Sequence, residues 1–311
     1  MNATQNMTDR EAARQIMRKA CQDDDPALLD EAISMITADE SRFFYYETHR
    51  AALENNALAI LTHLLSRGQS ILPISPSDAA RSSDATLEFL LAHGWDINTR
   101  GTPNPAYQPP PYLWSVLGDI DRVRWCLAHG ASVHPEGVEP LRSDVVTMAQ
   151  RGCEQLLECA AWSASVETFE LLRSKGAPLG WRPLHLAVRC ATLYQADRPG
   201  EARTEQGRQH EARMAMVRHL VDVVGIDVNA ADQPVGSRVP DRIGSPLCYV
   251  AAAYGQEPSV RELVWCLLDR GADPVPALEE ARLSRHATFA DDVEAWRARQ
   301  RGAGRGGCCL Q

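Results

Sequence analysis

No run in the 311-residue chain approaches the ~18 to 20 consecutive apolar residues that a membrane-crossing helix needs, and Met1 to Arg10 is polar with no apolar stretch behind it. Neither a transmembrane segment nor a secretory leader is expected, so a location in the cytosol or nucleus is expected, the cytoplasm first. Positive charge is also short: 32 Lys+Arg stand against 41 Asp+Glu, a net charge of −9. A chain without a basic stripe lacks what phosphate neutralisation requires, so nucleic acid is excluded as a bulk partner. The nine cysteines are odd in number and show no C-x-x-C spacing. Reduced thiols are expected, rather than a disulfide framework or a structural zinc site. The zinc-hydrolase pattern H-E-x-x-H, the phosphate loop, the nucleophile elbow and the kinase set are all missing, so no catalytic residue, metal or cofactor is expected.

What the chain does have is a repeat. An apolar helix ending in glycine recurs at His63 to Gly68, Phe89 to Gly94, Trp125 to Gly130, Glu170 to Gly176, Leu220 to Gly225 and Cys266 to Gly271. Glycine stops a helix cheaply because the left-handed conformation penalises any Cβ, and a basic residue or His in the last turn suits the helix dipole. After four of these glycines comes a short exit segment: Trp95-Asp-Ile-Asn98, Ala131-Ser-Val-His134, Ile226-Asp-Val-Asn229 and Ala272-Asp-Pro274. Helices that open with proline precede two of the units, at Arg182-Pro-Leu-His-Leu-Ala-Val188 and Ser245-Pro-Leu-Cys-Tyr-Val-Ala251.

These features resemble the ankyrin repeat family, whose unit carries a T-P-L-H-x-A helix and an L-L-x-x-G-A-D-x-N ending at a period of ~33 residues. Arg182 to Ala187 and Gly271 to Pro274 are the closest copies. The glycine spacings are 26, 36, 46, 49 and 46, so insertions interrupt the period. The resemblance implies an all-α fold: an ankyrin-type helical repeat solenoid with capping helices and irregular insertions. A disordered N-terminus at 1–9, a repeat array of about seven units including caps at 10–300 and a flexible Gly-rich tail at 301–311 are expected. The array starts with an atypical helix pair, Glu11 to Cys21 and Ala27 to Ile36, and a last helix from about Ala277 to Gln300 closes it.

Four connections are long: Gly101 to Pro111, Pro135 to Gly152, Ala191 to Arg213 and Ala230 to Gly244. The first is a rigid polyproline-like spacer or a recognition segment, and the third reads as a mobile excursion. The acids Asp23, Asp24, Asp25, Asp30 and Glu31 read as capping residues rather than an ion site. The resemblance implies that partners meet the turn tips and the inner helix face. On that basis the candidate binding residues are Trp95, Asp96, Asn98, Trp114, His134, Trp162, Trp181, Asp227 and Asn229, with the run Phe43 to Tyr46 as a further aromatic surface. Asp and Asn at tips also serve as plain turn formers.

Among the histidines, His185 holds the T-P-L-H place, where the family resemblance implies a turn-bracing hydrogen bond. His63, His93 and His129 belong to helix ends, whereas His49, His134, His210, His219 and His286 match no catalytic pattern. The chain ends Cys308-Cys-Leu-Gln311, the C-a-a-X form with a terminal Gln that selects farnesyl, which makes Cys308 the candidate lipidation site and a cytosolic membrane face the candidate location. The function expected is a non-enzymatic adaptor or scaffold for a protein partner, prenyl-anchored if the tail is modified. The alternative is an enzyme or small-molecule binder with a pocket of Trp, Tyr, His and Asp on the inner helices and insertions.

Overall fold

The computed structural model describes residues 3–37, 39–100, 109–134, 155–194, 202–232, 243–253, 260–285 and 287–305, with side chains from Asp9 to Gly302 apart from Ala287. Every regular element among them is an α-helix. Most of the four long connections lie outside the described residues, as do His286 and Cys308.

Two compact units divide the chain. The first takes in the described residues between 1 and 116 and between 125 and 136; the second takes in those between 117 and 124 and beyond 137. Unit one is built from α1 (Ala3–Asp23), α2 (Pro26–Ser34), α3 (Ser41–Asn55), α4 (Leu58–Ser66), α5 (Pro76–Ala79), α6 (Asp84–Ala92) and α7 (Tyr112–Ser115). Helix α8 (Ile120–Ala128) contributes residues to both. Unit two contains α9 (Leu156–Ser163), α10 (Val166–Ser174), α11 (Pro183–Ala191), α12 (Glu205–Asp222), α13 (Pro246–Ala251), α14 (Arg261–Leu268), α15 (Pro274–Ser284) and α16 (Ala287–Arg305).

Within each unit the helices pack by parity. In unit one, α1 meets α3, α3 meets α5 and α5 meets α7, while α2 meets α4. In unit two, α9, α11, α13 and α15 pack in succession, and α10 meets α12 as α14 meets α16. Each unit is therefore a stack of helical hairpins with an odd-helix layer and an even-helix layer, in which a hairpin buries its apolar side mainly against its neighbours. The core follows from this: Leu53, Leu61, Leu64, Leu87 and Leu90 are fully buried in unit one, and Leu157, Phe169, Leu172, Val217 and Leu247 are buried in unit two.

The helix ends explain why these segments fold locally. Proline occupies the first turn of α2, α5, α11, α13 and α15, where its missing N–H is no loss. Asp25, Ser75, Ser83, Ser165, Thr204 and Asp273 cap helix N-termini with side-chain oxygens. All six glycines of the repeat adopt positive φ, from 77° to 91°. After five of them the next residue donates to the carbonyl five places back, as Trp95 does to Leu90 at 3.0 Å, which ends the helix with its carbonyls satisfied. At Gly225 the helix runs one residue longer, and Ile226 reaches six places back to Leu220.

Polar side chains tie one hairpin to the next. Asp24, in the α1–α2 turn, accepts from the backbone N–H groups of Ala59 and Ile60 at the start of α4. Asn56, in the α3–α4 turn, accepts from the Ser83 N–H at 2.6 Å and the Thr86 hydroxyl at 3.0 Å at the start of α6. Asp24 and Asp25 are thus capping groups, whereas Asp23 pairs with Lys19 on α1 and Asp30 pairs with His63 and Arg67 across α2 and α4. Even helices of unit two are joined in the same manner, by His219 with Glu170, Arg218 with Glu262 and Arg270 with Asp222.

Four expectations about extent require correction. Helix α1 starts at Ala3, so the described residues within 1–9 are helical rather than a disordered end. Residues 205–213, expected within a mobile excursion, form the first half of α12 because Thr204 caps Gly207 and Glu205 pairs with Arg208 and Gln209 on the same face. The closing helix is two helices, since Arg285 takes a left-handed conformation (φ 57°) and breaks the path between α15 and α16. Helix α16 then continues to Arg305, into the segment expected to be a flexible tail.

Candidate functional site

The candidate residues at the turn tips have structural occupations. In unit one Asp96 accepts from the Asn98 N–H at 2.9 Å, and Asn98 uses both ends of its amide on the next turn: Nδ2 donates to the Gly130 carbonyl at 3.0 Å and Oδ1 accepts from the Ser132 N–H at 2.7 Å. In unit two Asp227 and Asn229 repeat this arrangement, with Asn229 bridging Gly271 and Asp273 at 2.9 Å and 2.8 Å. His134 is exposed, and its N–H donates to Ser132 Oγ.

The tryptophans divide in the same way. Trp95 is 2% exposed, donates its indole N–H to the Ile74 carbonyl at 3.0 Å and meets Tyr112 edge-on. Trp114 is buried on α7. Trp162, half-buried at the end of α9, lies under the Arg189 guanidinium of α11 at 5.8 Å. Trp181 is 49% exposed in the turn before α11. The structure therefore brings Trp162 to Arg189, while Trp95 and Trp114 belong to packing. Trp125 and Trp265 are half-buried and followed by buried cysteines, with Trp265 donating to the Asp292 carbonyl at 2.9 Å.

Unit two buries a polar cluster that its sequence barely announces. Glu158 is 3% exposed and accepts from the N–H groups of Gln155 at 2.9 Å and of Trp181 and Arg182 at 2.7 Å each. Burial pushes its carboxyl up from the ordinary range, against the pull of those N–H groups and of the Arg182 charge. His185, fully buried, places Nε2 3.0 Å from the Ala230 carbonyl and stands edge-on to Tyr249. Burial lowers its pKa to about 4. Tyr249 donates to Asp232, which also accepts from the Ile243 and Gly244 N–H groups. Arg213 of α12 donates to the carbonyls of Trp162 and Ala164 at the end of α9, where a cation suits the helix dipole. Most of these groups engage one another or brace turns, although His185 Nδ1 and Arg213 Nε are buried without a partner; the spacing Gln155-x-x-Glu158 is the one signal in the sequence, as a capping box.

Unit one presents the opposite situation along α3. Arg42, Tyr45, Tyr46, His49, Arg50 and Leu53 fall at helical spacings of three and four, on one face of α3, and together with Gln69, Ser70, Pro73, Ile74 and Asp78 line a cavity of about 390 Å³. A volume of this size is in the range of small-molecule pockets. His49 Nδ1 lies 2.8 Å from the Tyr45 carbonyl. Burial lowers the His49 pKa, so the ring is neutral near pH 7. The sequence reading placed Tyr45 and Tyr46 in an aromatic run and left His49 unassigned; the period of α3 joins them.

Among the described residues no group of three or more His, Cys, Asp or Glu side chains is arranged to hold a metal ion, and no helix is long and apolar enough to cross a membrane. The six described cysteines form no disulfide, and burial pushes the Cys21 thiol up to about 12.

No family model and no curated protein matches the chain.

Proposed function

We propose that the chain is a non-enzymatic, ankyrin-type adaptor that holds a protein partner against the odd-helix layer of its hairpin solenoid, in the cytoplasm. The observation that carries this reading is the pair of asparagine bridges. Asn98 and Asn229 stand at the Asn place of the family ending, and each joins its own turn to the next glycine turn with both amide atoms. Glycine caps and hairpins stacked by parity accompany them. A scaffold whose buried polar groups are spent on turns has its remaining chemistry at the surface. In unit two that surface includes the Trp162–Arg189 pair of α9 and α11 and exposed Leu193 just past the end of α11, and Trp and Arg are the residue types that dominate interface hot spots. The C-a-a-X end at Cys308 fits a lipid anchor that would hold the adaptor at a cytosolic membrane face, with the arginines of the preceding segment adding weak attraction to anionic lipid.

The test is photo-crosslinking in cells from a reactive side chain placed at Leu193. One reproducible protein adduct is expected, lost on Trp162→Ala. Adducts that vary between preparations and ignore Trp162→Ala would contradict the reading. A small-molecule role is favoured by one observation only, the cavity on α3.

A further inference from the structure

The cavity on α3 carries chemistry that the adaptor reading does not use. Two of its lining side chains, Arg42 and His49, carry polar atoms without a partner among the described residues. Arg42 is exposed and makes no ion pair among the described residues, whereas Arg50 is held by Glu54 at 3.1 Å. His49 is more specific still. A carbonyl only accepts, so the 2.8 Å contact to Tyr45 O puts the ring proton on Nδ1. Nε2 of the neutral ring is then an acceptor; it is buried, and it has no hydrogen-bond partner. A buried acceptor without a partner keeps its desolvation cost uncompensated, which a ligand N–H or O–H would recover.

From these groups we infer that the α3 cavity binds a small aromatic carboxylic acid bearing a ring hydroxyl or N–H, with its carboxylate on Arg42, its ring between Tyr45 and Tyr46, and its donor on His49 Nε2. The charge pattern selects the acid. One unengaged guanidinium matches one negative charge; a phosphate dianion would bring a second charge toward Asp78, which also lines the cavity. The spacing selects the length. Arg42 and His49 are seven residues apart, about 10 Å along the axis, and the two tyrosines lie on the turn between them. The apolar surface of Leu53, Pro73 and Ile74 covers the ring.

Isothermal titration of the full chain tests this with 4-hydroxycinnamate and indole-3-propionate as acids carrying a donor. Cinnamate lacks the donor, 4-ethylphenol lacks the carboxylate, and 4-hydroxybenzylphosphonate replaces it with a phosphonate. The donor-bearing acids are expected to saturate one site, with at least about tenfold weaker binding on losing either group or on replacing the carboxylate. Arg42→Gln, a surface change that leaves folding intact, is expected to weaken the acids to the level of 4-ethylphenol and to leave 4-ethylphenol unchanged. His49→Phe is expected to level 4-hydroxycinnamate with cinnamate. Failure of both acids to saturate, equal binding with and without the donor, preference for the phosphonate, or indifference to Arg42→Gln would each overturn the proposal. The probes contain no protein, so their failure leaves the partner test at Leu193 standing.

Discussion

Unit one and unit two use the same hairpin and the same asparagine bridge but place their polar side chains differently, between packed turns in unit two and along a cavity on α3 in unit one. In unit two Glu158, Asp232, Tyr249, Nε2 of His185 and the terminal nitrogens of Arg213 are engaged, mostly by backbone groups of the turns between helices, while His185 Nδ1 and Arg213 Nε are buried without a partner in the packed core. In unit one the α3 face brings Arg42 and the buried Nε2 of His49, neither with a partner among the described residues, to the lining of one cavity. The lesson concerns where a charged or polar residue in a stack of helical hairpins acts. A buried carboxylate with three N–H donors is part of the scaffold, and its removal is felt as stability; an open guanidinium at a cavity is felt as binding.

The largest expected effect that sharpens this contrast is at Glu158. Glu158→Ala leaves three N–H groups without an acceptor, two of them buried, and is expected to destabilise unit two by about 3–5 kcal/mol, read as a lower unfolding midpoint in urea. Gly180→Ala acts on the same contact. Its φ is +76°, and an added Cβ would lie 2.5 Å from Glu158 Cγ and Cδ, so a loss of comparable size is expected.

Next in size is a pH effect from His185. Its folded pKa of about 4 is below the ordinary 6.5, so the unfolded chain binds the proton first, and stability falls as pH drops from about 6.5 toward 4. The shift corresponds to about 3 kcal/mol at most, and Glu158, shifted upward, offsets part of it near the acid end. Urea titrations at a series of pH values should show this slope, and His185→Gln should flatten it.

The asparagine bridges test the likeness of the two units. Asn98→Ala and Asn229→Ala are each expected to cost about 1–2 kcal/mol, by equal amounts, since each removes two hydrogen bonds to backbone. A loss at one site only would break the parallel. The smallest effect is at α3: Arg42→Gln is expected to shift stability by less than about 0.5 kcal/mol in thermal unfolding.

Much of the scaffold was legible in the chain because its signals are local. A glycine after an apolar helix, a proline at a helix start and an Asp or Asn at a turn each state a backbone requirement that does not depend on distant residues. The start of α12 was missed for the converse reason: Thr204 and Glu205 carry good cap and pairing chemistry, but a polar, Gly-containing stretch obscured it. The polar cluster of unit two and the α3 cavity depend on which turns and helices come together. Glu158 meets Trp181 and Arg182 more than twenty residues away, and Asp78 joins the α3 face from another hairpin. No spacing along the chain states those meetings, although the period of α3 placed Arg42, Tyr45, Tyr46 and His49 on one face.

The contrast between the units is tested most directly by measuring, on the same preparations, the urea midpoint and the 4-hydroxycinnamate affinity of the wild type, Arg42→Gln and Glu158→Ala. Arg42→Gln is expected to keep the midpoint and lose affinity, and Glu158→Ala to lower the midpoint and keep affinity while unit one remains folded. Arg42→Gln lowering the midpoint with affinity unchanged, or Glu158→Ala leaving the midpoint where it was, would contradict the division of polar groups into scaffold and site.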